Sequence, residues 1–96
     1  MIEIRQTEAY FQWFGSLRDR QARARINTCI RRLSLGNFGD VKPIGECVSE
    51  LRIDFGPGYR VYFVQRGQTL VVLLAGGDKR TQDRDIKKAL KMAREL

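Results

Sequence analysis

Arg52, Arg60 and the pair Lys79-Arg80 are the residues whose types and placement could do chemistry in this sequence. Arg52 stands on the polar face of a stretch that alternates apolar and polar residues. Arg60 follows the turn Gly56-Pro57-Gly58, and Lys79-Arg80 lies between the last apolar stretch and the closing helix. In an antiparallel meander these positions converge on one end and one face of a sheet. Arginine presents a planar fork of donors that matches the oxygens of a phosphate, so two or three together would cradle an anion. The plainer reading of Arg52 is a surface ion pair with Glu50 or Asp54, which contributes little. The chain contains no histidine, so neither a zinc site nor a histidine general base is expected.

The rest of the charge sets the class of partner. Lys and Arg number 18 against 11 Asp and Glu, a formal net charge of +7, which favours a polyanion, RNA before an acidic protein or an anionic membrane. The longest apolar run, Leu70 to Ala75, falls far short of the roughly 20 residues that span a bilayer. Met1 to Tyr10 carries Glu3 and Glu8 and does not read as a secretory signal, so a cytoplasmic location is expected. Cys29 and Cys47 are too few and too isolated for a disulfide framework or a metal site, and no cofactor is expected. Six arginines (Arg18, Arg20, Arg23, Arg25, Arg31 and Arg32) crowd one segment and read as a solvated helix face. A second group, Arg84, Lys87, Lys88, Lys91 and Arg94, shares the outer face of the closing helix. Asp83 and Asp85 are confined to its first turn, where the helix dipole favours them. That face is either solvated or able to follow a phosphate backbone.

These side chains need a scaffold, and residues 1–96 read as one α+β domain with no repeat and no composition break. Ile2 to Arg5 alternates as a short strand, and Thr7 can cap a helix whose Tyr10, Trp13, Phe14 and Leu17 form an inward aromatic stripe. Arg18 to Leu35 is a second helix, with Ala22, Ile26, Cys29, Ile30 and Leu33 on one face, forming a hairpin with the first. Asn37 to Cys47, with Pro43 and Gly45, reads as a loop. Three strands follow: Val48 to Phe55, Tyr59 to Gln65, and Thr69 to Ala75, the last apolar on both faces as in a central strand, with Gly76-Gly77-Asp78 ending it. A helix from about Thr81 to Glu95 closes the chain, burying Ile86, Ala89, Leu90 and Ala93. The expected order is β-α-α-β-β-β-α, two helices and a C-terminal helix packed on a small, mainly antiparallel sheet.

This order resembles the RelE/ParE toxin superfamily, and so do Glu50-Leu51-Arg52, Gly58-Tyr59-Arg60-Val61-Tyr62, and Gly77-Asp78-Lys79-Arg80 ahead of a final helix. Within it the chain most resembles the HigB-like addiction module killer branch, also called phage Gp49-like. The resemblance covers essentially the whole chain and implies a RelE-like fold and the toxin of a type II toxin-antitoxin pair. RelE-like members enter the ribosomal A site and cleave mRNA with the 2′-hydroxyl as nucleophile. The resemblance puts the family's strand arginine on Arg60 and the arginine ahead of the last helix on Arg80. The strand lysines of RelE proper have no counterpart here except, loosely, Arg52, and the family's tyrosine of the last helix falls on Ile86, leaving that role unfilled. Arg60 and Arg80 could stabilise charge on phosphorus, but a guanidinium takes up no proton. Lys79 and Glu50 are then the candidates for general base. Arg52, Arg84, Lys87, Lys88 and Lys91 would contact RNA. The expected partners are the ribosome and mRNA, and a helix-turn-helix antitoxin from an adjacent gene, through which alone operator DNA would be met. A ParE-like gyrase inhibitor without nuclease activity is the alternative on the same scaffold.

Overall fold

Thr7 settles where the first strand stops and the first helix starts. In the computed structural model, which describes all residues from Met1 to Leu96, its hydroxyl accepts a hydrogen bond from the N–H of Tyr10 and donates one to the carbonyl of Leu74. One side chain thus caps a helix and ties it to the middle of the sheet. The elements are β1 (Glu3–Gln6), α1 (Glu8–Ser16), α2 (Arg20–Ser34), β2 (Val41–Gly45), β3 (Val48–Ile53), β4 (Tyr59–Arg66), β5 (Leu70–Asp78), a 3₁₀ turn (Lys79–Thr81) and α3 (Gln82–Glu95). Asp19 caps α2 by accepting from the N–H groups of Gln21 and Ala22. The five strands lie in the order β1-β5-β4-β3-β2, with β1 parallel to β5 and every other neighbour antiparallel.

Two expectations change. The segment Asn37 to Cys47, read as a loop, contains β2, which pairs with β3 at the sheet edge. Pro43 hid it, yet an edge strand needs hydrogen-bond donors on one side only and so tolerates proline. The turn into β3 uses Glu46 and Cys47, both at positive φ (51° and 63°), the handedness a tight hairpin requires. The second change concerns Gly76-Gly77-Asp78, which continues β5 rather than ending it. Gly76 lies under the indole of Trp13 from α1, and Gly77 lies under the carboxylate of Asp85 from α3; a Cβ on either would overlap those groups. The pair is glycine because both sheet faces are approached closely at that point, not because the chain turns there.

The sheet is covered on both sides. Leu51, Ile53, Tyr59, Val61, Phe63, Val71 and Leu73 face α1 and α2 and pack with Tyr10, Ala22, Ile26 and Leu33. Val48, Tyr62, Val64 and Leu74 face α3 and pack with Ala89, flanked by Ile86, Leu90 and Ala93. The apolar character of β5 on both faces follows, since it runs between β1 and β4 with helices above and below. Cys29 lies half-buried against the larger cluster, and Cys47 is exposed in its turn.

Overpacking a filled site costs about 1–3 kcal/mol, so Gly76→Ala and Gly77→Ala should each lower the free energy of unfolding by that order in urea titrations. Gly15→Ala is the control. It sits inside α1, where an added Cβ meets nothing within 4 Å, and it should raise stability by about 0.5–1 kcal/mol through helix propensity alone.

Candidate phosphate-binding site

The register of β3 and β4 builds the site. Arg52 stands opposite Arg60 and Glu50 opposite Tyr62. Their neighbours Leu51, Ile53, Tyr59 and Val61 point into the α1/α2 core, so the alternation of a strand turns these four to the face that α3 covers. The α3 apolar face begins at Ile86 and leaves the end of the sheet nearest Arg52 and Arg60 uncovered by apolar side chains. There the chain leaves β5 through Asp78 into the turn Lys79–Thr81. Gly58, in the turn before β4, comes within 3.7 Å of the Lys79 Cβ when given a Cβ of its own.

Two adjoining depressions result. One, of about 380 Å³, is lined chiefly by Arg52, Asp54, Arg60 and Lys79; the other, of about 430 Å³, by the consecutive residues Lys79 to Arg84, with no hydrophobic side chain. Lys79 belongs to both. The convergence of Arg52, Arg60 and Lys79 expected from the strand pattern is therefore present, and Arg80 lies next to it across Lys79.

Each arginine of the site is matched to a carboxylate. Arg52 Nη2 is 3.0 Å from Asp40 Oδ1, a partner supplied by the segment ahead of β2 and not by Glu50 or Asp54. Arg80 chelates Asp78, Nη2 to Oδ2 at 2.8 Å and Nε to Oδ1 at 3.3 Å. That contact and the Arg80 N–H hold the Asp78 carboxyl below its ordinary range. Arg84 Nε is 3.8 Å from Asp85 Oδ1, while Asp85 Oδ2 accepts from the Thr81 hydroxyl. Lys79 has no carboxylate within 4.0 Å, nor do Lys87, Lys88 and Lys91, which are exposed along the outside of α3.

Glu50 differs from the other carboxylates. It is 1% exposed, accepts a 3.0 Å hydrogen bond from Gln82 Nε2 in the first turn of α3, and lies 3.9 Å from Arg60 Nε. The sequence makes it a candidate proton acceptor; in the fold it is enclosed and holds two other groups. Tyr62, which pattern reasoning did not single out as a functional residue, belongs to the same cluster. Its hydroxyl is buried without a hydrogen-bond partner, as is Arg60 Nε. Burial, and then the negative charge of Glu50, push the phenol above its ordinary pKa, so Tyr62 stays protonated and offers a donor, not a base. The signal was available: Tyr62 is two residues from Arg60 on one strand and shares its face.

Removing one member of a buried ion pair leaves the other uncompensated, at a cost of about 3–5 kcal/mol when both are fully buried. Arg60 keeps some contact with solvent, so Glu50→Ala should cost toward the lower end of that range and Glu50→Gln less. Asp40→Asn breaks only an exposed pair and should leave the urea midpoint in place.

Comparison with known proteins matches the chain to a family. Residues 12–96 match the family described as phage-derived protein Gp49-like (DUF891), a match that takes in α2, the whole β2–β5 meander and α3. A protein of Haemophilus influenzae named only as uncharacterized is 50% identical over 95 residues, covering 99% of this chain and 96% of its own length. The chain belongs to the phage-derived protein Gp49-like family, which is associated with RelE- and HigB-like toxins.

Proposed function

We propose that this chain is the toxin of a type II toxin-antitoxin pair, of the HigB-like branch, and that it is a ribosome-dependent endoribonuclease acting on mRNA. The observation that carries the reading is the meeting of Arg52, Arg60 and Lys79 around one open cleft, with Arg80 adjoining. Family membership agrees with it. No helix is long and apolar enough to cross a membrane.

The chemistry assigned to the cleft is attack of a ribose 2′-oxygen on the adjacent phosphorus. The 2′-hydroxyl gives up its proton, the new P–O bond forms, the bond to the 5′-oxygen breaks, and that oxygen takes a proton as it leaves. Arg60 is the group best placed to stabilise charge on the phosphoryl oxygens. Its side chain is largely packed and its charge is balanced by Glu50 at 3.9 Å, so little of it remains to be ordered when it meets a phosphate. Arg80 adds a second fork once phosphate displaces Asp78 from it. Lys79, which has no carboxylate partner, is the residue assigned to proton transfer. Glu50, enclosed under Gln82, acts as a positioning residue for Arg60. No side chain stands for the tyrosine that the family's last helix carries, since Ile86 packs against the apolar cluster under α3. In this reading Arg84, Lys87, Lys88 and Lys91 dock on ribosomal RNA. An adjacent-gene helix-turn-helix antitoxin neutralises the toxin with an acidic segment and carries it to operator DNA.

Brief induction followed by primer extension tests the reading. Wild-type protein should produce cuts in translated mRNA that disappear when translation is blocked. Arg60→Ala should reduce cleavage by about 10²–10³-fold, the loss usual for one preorganised charge-stabilising donor. Lys79→Ala should reduce it by about 10²–10⁴-fold if it transfers the proton. Arg80→Ala should also relieve growth arrest. Loss of DNA supercoiling with intact mRNA would identify a gyrase inhibitor instead, and full toxicity of both Arg60→Ala and Arg80→Ala would place the site elsewhere.

A further inference from the structure

On the far side of Arg52 from the cleft lies a smaller depression, of about 150 Å³, that the chemistry assigned above does not use. Its volume is that of about five water molecules, enough for one planar ring system. Phe38, Leu51 and Cys29 give it an apolar interior. Phe38 is anchored by packing on Phe63, ring centroids 6.3 Å apart, and Leu51 belongs to the core. Arg32, Asn37 and Asp40 are exposed and supply polar groups around it. The Asn37 side chain makes no hydrogen bond within the protein, and no carboxylate lies within 4.0 Å of Arg32. Asp40 and Arg52 line both this depression and the cleft, so the two are contiguous across a single ion pair.

An aromatic wall, an arginine and an unused amide beside the cleft of Arg52, Arg60 and Lys79 match the alternation of a single nucleic-acid strand, base next to phosphate. Single-stranded RNA is read this way, by bases splayed out and stacked on aromatic or guanidinium planes while their edges are hydrogen-bonded. We propose that this depression is a nucleobase subsite, which receives the base of a nucleotide neighbouring the phosphate held by Arg52, Arg60 and Lys79. The proposal rests on the RNA reading of the cleft. Asp40 accepts hydrogen bonds and the Asn37 amide both donates and accepts, so these groups meet the edge of a base stacked on Phe38, and stacking strength favours a purine over uracil. It thereby makes the protein selective for sequence as well as for phosphate.

The test uses the full chain, isotope-labelled for amide spectra, with 2′-O-methylated tetranucleotides, whose blocked nucleophile prevents cleavage. Oligoadenylate should shift the amides of Phe38, Gly39, Asp40 and Leu51 together with those of Arg60 and Lys79. An abasic strand of the same length should shift only the latter. Oligoadenylate should bind about fivefold or more tightly than oligouridylate or the abasic strand, the discrimination expected of one stacked base. Phe38→Ala, which removes the stacking ring, should abolish most of that difference without weakening the abasic strand, and Asn37→Ala, an exposed change that removes no bond within the protein, should reduce it. Shifts confined to the cleft, or equal affinity for all three strands, overturn the subsite and leave the RNA reading standing. Absence of any shift at Arg60 and Lys79 overturns that reading and the subsite with it.

Discussion

Everything that makes the open end of the sheet a site depends on one enclosed carboxylate. Glu50 links β3 to β4 through Arg60 and to α3 through Gln82. A carboxylate that is 1% exposed has lost its hydration, and charge and hydrogen bonds must compensate for that loss. The compensation comes from the two elements that must be held in place for the cleft to exist. Arg60, with 12% of its side chain exposed, is correspondingly unlike the surface arginines. Its stem is packed and its charge is balanced from below, while its open edge faces the cleft. Such an arginine loses little entropy on meeting a phosphate, which separates a preorganised site from a merely basic surface.

The same constraint explains the start of α3. Thr81 makes no side-chain cap to its own helix; its hydroxyl is used on Asp85, and Asp85 is pressed onto Gly77. The helix is thus positioned by contacts to β3 and β5 rather than by its own capping. Its first turn is left as the wall of a depression with no hydrophobic lining. The acidic residues at this end have two effects at once: they suit the positive end of the helix dipole, and Asp85 fixes how near the helix lies to the sheet.

What could be read ahead from the sequence divides along the range of the interactions. Thr7 as a cap, the aromatic stripe of α1, the two-sided burial of β5 and the meeting of Arg52, Arg60 and Lys79 all follow from periodicity within a few residues, and the fold bears them out. The partners do not follow in that way. Arg52 meets Asp40, twelve residues back, only because β2 exists, and β2 was hidden by Pro43 and Gly45. Glu50 meets Gln82 across 32 residues. Gly76-Gly77 reads as a strand terminator because a glycine pair looks alike whether it serves a turn or makes room for a neighbour. Only the positions of Trp13 and Asp85 distinguish the two.

The net charge of +7 acquires a different meaning once the pairs are known. Around the two depressions, Arg52, Arg60, Lys79, Arg80 and Arg84 are accompanied by Asp40, Glu50, Asp54, Asp78, Asp83 and Asp85. Five cations against six carboxylates leave the site no surplus of its own. The surplus lies on α2, whose five arginines, with Arg18 just ahead of the helix, have Asp19 alone nearby in sequence, and on the outer face of α3. In the proposed function these faces supply the long-range attraction to a polyanion, which weakens with salt. In that reading the cleft acts only at contact, where a phosphate must take the place of Asp40 and Asp78 on guanidinium groups they already orient. Docking and chemistry therefore draw on different charges. Salt should weaken the approach of a polyanion to the protein far more than it weakens the grip of Arg60, whose partner Glu50 is shielded from solvent and is not displaced.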